Sequence, residues 1–322
     1  MSSTYTFAGK QVIIYCGIPV FAAGVLGCSL NMLVFLSLKT FRESSCVFYL
    51  TVMSMVNIGT LFLGFFPRIM VSLFSTDGTE ISLFYCKARL YFSQIFIGTS
   101  LSCYCLATID QYFATCTRLQ WQLWCNIKLA IRIIIITVII WILHGIPYVV
   151  FYDHVVSSTT NQTTCINTNY IFDRYRAFVT LLLLIGYFPI MIAALFGSMA
   201  LRNVQQLAFR TVPLIRRELD KQLTNMVLLQ VVVSIFTLLP YTTVSAVATS
   251  TSTINDPVYQ GKIQFAVTVT FVFYYISFAS PFYIYFCASG RFRRQLKYVL
   301  FDIHLSRIFP NQIEPQMTLN VQ

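Results

Sequence analysis

The sequence predicts an all-α membrane protein, a seven-transmembrane helix bundle with a short amphipathic eighth helix, and three observations carry that expectation. First, 57% of the 322 residues are hydrophobic, only 10% are charged, and the mean hydropathy is +0.71. Soluble chains carry about 25% charged residues because a folded surface needs them, so lipid must cover much of this one. Second, runs long enough to cross a ~30 Å hydrocarbon core as a helix recur seven times between short polar breaks. Third, Lys and Arg are concentrated on alternate breaks, as the sidedness of membrane insertion requires.

The runs cover residues 12–38, 46–66, 90–113, 133–151, 177–201, 223–247 and 263–287. Helix is imposed on each, because backbone amides in lipid must be paired within the segment. The runs are also too long and too evenly apolar for barrel strands. Helices buried in a large soluble core would need polar faces elsewhere in the chain, and the composition has none to spare. The first ten residues are polar and the first run is too long for a signal-peptide core, so it should act as a signal anchor. Residues 1–11 read as an outer N terminus, 12–300 as the membrane domain and 301–322 as an inner tail.

With the N terminus outside, the inner segments hold fifteen of the 22 cations against six acids, or +9, and the outer segments hold seven against five, or +2. The net charge of +11 is therefore mostly an orientation signal, and nucleic acid loses its support as a partner. Most of the ten cysteines fall in spans, where a thiol behaves as a small apolar group. Cys86 and Cys165 instead lie in polar stretches on the outer, oxidising side. Asn161, Gln162 and Thr163 form a glycosylation sequon that is usable only on that side.

Further residues follow in a definite order: Asn31 and Val34 in the first span, the LTVMSMVN run ending at Asn57, and Asp110, Gln111 and Tyr112 at the inner end of the third. Trp141, Pro189 and Pro240 mark the next three spans, and PFYIY from Pro281 to Tyr285 leads into FRRQLK at Phe292. Over residues 11–300 this series resembles the rhodopsin-like (class A) G-protein-coupled receptors. Gln111 follows Cys86 by 25 positions, the separation that family shows between its outer cysteine and the middle of its DRY motif. The last-span segment is similar to the variant in invertebrate neuropeptide receptors related to those for FMRFamide. If Phe292 anchors the eighth helix, Tyr285 takes the motif tyrosine and Pro281 the asparagine position; the other alignment makes Pro281 the motif proline and puts Ile284 in place of the tyrosine. The first needs no insertion.

The resemblance implies a Cys86–Cys165 bridge, an extracellular ligand, a heterotrimeric G protein inside, a plasma-membrane location and no cofactor. It also exposes departures. Gln111 replaces an arginine whose fixed charge the family uses, and Asp220, where the family often has the acidic partner, has nothing cationic to pair with there. Asp110 is then expected either to pair with Arg118 or to lie solvated at a helix end. Asn57 and Pro281 replace the aspartate and asparagine of the family's sodium pocket, although Ser100 is retained. Leu238 and Gly197 stand where a tryptophan and a tyrosine are usual.

An amine receptor would need an aspartate at Ser93, and an opsin would need a lysine between Lys262 and Lys297. What remains near the outer half is Arg68, Ser93, Gln94, Tyr241, Tyr274 and Tyr275, a lining for a peptide or small organic ligand, unless the tyrosines merely pack between helices. On the inner side Arg291, Phe292, Arg293, Arg294 and Lys297 fit an amphipathic helix on anionic lipid. No HExxH, GxSxG or P-loop is present, so no enzyme is expected. Two alternatives stand beside a signalling receptor: a receptor-like protein that binds or scavenges a ligand with impaired coupling, and a transporter, which the lack of mid-span ionisable groups disfavours.

Overall fold

The computed structural model describes residues 2–37, 44–76, 78–116, 118–156, 163–207, 214–252 and 256–305, without the side chains of 2–3, 119, 214–221 and 302–305. Asn161 and the side chain of Asp220 lie outside the described residues.

Among the described residues seven helices are long and apolar enough to span a membrane: Thr4–Ser37, Ser45–Phe74, Leu83–Thr115, Ile127–Phe151, Tyr170–Gln206, Gln222–Ser250 and Pro257–Ala279. Each of the first six reaches beyond its apolar run, because a polar side chain ends the run without ending the backbone ladder. The first span is the clearest case, since helix already begins at Ser2, ten residues before the apolar run. The seventh differs in the opposite sense. It stops at Ala279 and a separate helix, Pro281–Ala288, follows, where the expectation was one run through 287. Pro281 has no amide hydrogen to donate, and Ser280 at φ −77°, ψ −20° takes up the break.

Among the described residues four stretches are π-helical: Ile13–Gly17, Leu61–Phe65 and Arg176–Tyr187 within the spans, and Tyr298–Leu305 after the amphipathic helix. Two of them end just before a proline, Pro67 and Pro189, where the missing N–H already interrupts the normal ladder. Pro147 and Pro240 are carried inside continuous helix.

At one end of the bundle the chain between the fourth and fifth spans forms an antiparallel hairpin, β1 (Tyr152–Val156) and β2 (Thr163–Asn167), with Tyr152 opposite Asn167 and His154 opposite Cys165. A disulfide joins Cys165 to Cys86 at the head of the third span, and His154 Nε2 lies 2.6 Å from the Thr79 carbonyl. This is the hairpin end. The opposite end carries Asp110, Gln111 and the amphipathic helix Gly290–Lys297.

The two largest buried clusters divide the interior between the two ends. Phe65, Leu238, Tyr274, Tyr275 and Phe278 belong to the hairpin half, and Phe35, Met53, Tyr104, Tyr285 and Phe292 to the Gln111 half. Where helices approach closely the sequence uses glycine: a Cβ at Gly98 would collide with the Trp141 ring, and one at Gly64 with the Tyr275 hydroxyl. Trp141 is fixed there by donating from Nε1 to Ser102 Oγ at 3.0 Å.

Candidate functional site

In the hairpin half, five of the six candidate lining residues come together through an aromatic column. Tyr275 stacks on Phe65 with centroids 4.5 Å apart and planes 4° apart. Phe271 lies 4.8 Å from Tyr275 and 5.6 Å from Tyr241, and Tyr241 lies 4.7 Å from Tyr274. The Arg68 guanidinium sits 5.6 Å over the Phe271 ring at the mouth of the column. Ser93 reaches the same place beside Gly64 and Tyr275. Gln94 is buried one residue further along the third span.

Phe271 is the hub of this column, and nothing in the sequence singled it out, because its role depends on rings from the second and sixth spans.

Burial in this half leaves chemistry unused. Gln94 Nε2, Tyr274 Oη and Ser245 Oγ have no hydrogen-bond partner among the described residues. A buried polar atom without a partner costs roughly 1–3 kcal/mol, so these call for a reason. A bound ligand supplying complementary groups would remove that cost. Nearer the hairpin, Tyr152 is pushed upward by burial, with Arg176 and Arg89 partly offsetting the shift, so it remains a neutral phenol at physiological pH. Arg176 is held by Asp173 at 2.9 Å.

Midway, Asn57 has both ends of its amide engaged. Its Nδ2 donates to the Phe278 carbonyl at 3.1 Å, and Ser100 Oγ donates to its Oδ1. Asn31 Nδ2 donates to Ser54 Oγ at 3.4 Å. These contacts tie the second span to the third, the seventh and the first.

At the Gln111 end the sixth span is fastened by neutral hydrogen bonds. Thr224 Oγ1 donates to Gln111 Oε1 at 3.3 Å, and Gln111 is 2% exposed. Tyr285 Oη donates to Gln230 Oε1 at 2.7 Å, and Gln230 Nε2 lies 3.8 Å from Met53 Sδ. Ser289 Oγ donates to Gln222 Oε1 at 2.7 Å and also accepts the Phe292 amide, capping the amphipathic helix. We call these contacts the neutral latch. Tyr285, rather than Ile284, brings a hydroxyl to the sixth span, and its ring packs 6.2 Å from both Phe35 and Phe292.

Asp110 requires a correction. It neither pairs with Arg118 among the described residues nor lies solvated: it is 8% exposed and accepts from Ser45 Oγ at 2.7 Å. The reason is geometric, since the head of the second span packs against this turn of the third, whereas Arg118 is exposed beyond the helix end. Tyr112 lies toward the fifth span, with its ring 5.5 Å from Phe196.

The amphipathic helix buries Phe292 and Leu296 while Arg293, Arg294 and Lys297 face outward. Arg293 also donates to the carbonyls of Phe286 and Cys287, which the end of the preceding helix leaves open.

A family profile described as 7 transmembrane receptor (rhodopsin family) matches residues 30–289. No curated protein matches the chain significantly.

Proposed function

The chain belongs to the rhodopsin family of seven-transmembrane receptors, and from that premise we propose that it receives a peptide or small organic ligand at the hairpin end and signals to a heterotrimeric G protein at the Gln111 end. The family is one of receptors rather than enzymes, and its activity is G-protein-coupled signalling from a membrane-spanning bundle.

The observation that carries the ligand reading is the aromatic column with the orphaned Gln94, Tyr274 and Ser245 atoms beside it. Rings give a ligand apolar area, and the orphans give it hydrogen bonds. A peptide of the neuropeptide type suits both. We assign the hairpin end to the outside on two grounds: the disulfide needs an oxidising compartment, and the charge bias directs the other end inward. Asn161 is then available for glycosylation, and glycosidase treatment should increase gel mobility of the wild-type chain but not of Asn161→Gln. Arg293, Arg294 and Lys297 would rest on anionic lipid.

In this reading Gln111 does by neutral hydrogen bonding what a charged partner does elsewhere in the family. Charge-assisted bonds are about twice as strong as neutral ones, so the closed state here is held more weakly per contact. The impaired-coupling reading is favoured by the same substitution. The two separate in a screen of peptides and small organics, scored first by thermal stabilisation and then by G-protein dissociation. Hits that stabilise the fold and drive dissociation support signalling. Hits that stabilise it but drive dissociation only in Gln111→Arg support the scavenging alternative.

A further inference from the structure

A cavity that shares Arg68 with the aromatic column lies between the first, second and seventh spans at the hairpin end, with a volume of about 140 Å³. That is close to the size of a hole that accepts one benzene ring, about 150 Å³. Its wall is apolar along Ile13, Val71 and Phe265, and two cations, Lys10 and Arg68, line it with no Asp or Glu among its lining residues. Neither cation has an ion-pair partner among the described residues.

Two like charges beside one small cavity repel, and an anion between them removes that cost. Arg68 is also partly preorganised, since the Phe271 ring beneath its guanidinium restricts it. A planar guanidinium recognises a carboxylate or phosphate through two parallel hydrogen bonds, and a flexible ammonium adds a point charge. The apolar wall excludes a bare inorganic anion as the best fit and selects one carried on a hydrocarbon stem.

We propose that this cavity binds the acidic head of an amphiphile, a carboxylate or phosphate joined to a short apolar segment. The source is either a free acid or the head group of a membrane lipid. The site shares Arg68 with the receptor reading but also uses Lys10 and Ser72, which the aromatic column does not, and its readout needs no G protein, so either can fail without the other.

The test uses the full chain in phosphatidylcholine nanodiscs, with octanoate as the free-acid probe, octanamide as its neutral counterpart and nanodiscs containing phosphatidic acid as the lipid arm. Octanoate at ~100-fold excess over its Kd should raise Tm by about 5 °C or more, and octanamide should not. The rise should disappear in Arg68→Gln, Lys10→Gln and Ser72→Leu but persist in Lys262→Gln, an exposed lysine that does not line the cavity. Ser72→Leu fills the space without altering charge, and among the described residues the Ser72 hydroxyl bonds only its own helix at the Arg68 carbonyl, so the fold should tolerate the change. If a lipid is the occupant, phosphatidic acid should itself raise Tm in the wild type and not in Ser72→Leu, and octanoate should then add nothing. Failure of both acids to stabilise the wild type would overturn the proposal, as would equal stabilisation of Ser72→Leu or an equal effect of octanamide.

Discussion

At the hairpin end a disulfide staples the hairpin to the third span and stacked rings join the helices, with cations nearby and several buried polar atoms left over. At the Gln111 end they are joined by hydrogen bonds between amides and hydroxyls, and the sixth span is the common member. A covalent staple does not come undone on the timescale of signalling, whereas neutral bonds worth about 1 kcal/mol each do. The first end is therefore suited to hold a shape, and the second to change one.

The sharpest way to break this comparison is to remove the staple. Cys86→Ala and Cys165→Ala should each cut surface expression several-fold, since losing a native disulfide costs about 2–5 kcal/mol. The double variant should be no worse than either single, and additive losses would mean that the two cysteines act separately.

Next in size is the close contact under the aromatic column. Gly64→Ala forces a methyl group onto the Tyr275 hydroxyl, and overpacking of this kind costs about 1–3 kcal/mol. Its Tm should fall by several degrees, and Tyr275→Phe, which removes the clashing oxygen, should restore part of the loss. No rescue would show that the column is not packed as described.

The latch should give an effect no larger than that. Tyr285→Phe leaves Gln230 Oε1 without its donor, at a cost of about 1–3 kcal/mol, and Gln230→Leu should cost less on that background than alone. A coupling energy near zero in that double-mutant cycle would remove this bond from the latch.

The seven spans were legible in the sequence because length and apolarity are local properties that lipid imposes. The partners were not. Gln222, Thr224, Gln230 and Ser289 are ordinary polar residues in the sequence, and only the approach of the third and seventh spans and the helices after them gives each a bond. The partner of Asp110 is hidden for the same reason, since Ser45 lies 65 residues away. The hairpin leaves little mark in the sequence, because two five-residue strands alternate too briefly to stand out. The tyrosines of the column stand out in the sequence, while Phe271, which joins them, looks there like any other apolar residue.

The central claim, that a neutral latch through Gln111 holds a coupling-competent bundle closed, is tested most directly by Thr224→Val. This change keeps the side-chain shape and removes the donor to Gln111. The measurement is ligand-independent nucleotide exchange by purified heterotrimeric G proteins of each class, with the receptor in nanodiscs at matched Tm. The account predicts exchange several-fold above wild type for at least one class. Exchange at the protein-free background for Thr224→Val and wild type alike would contradict it.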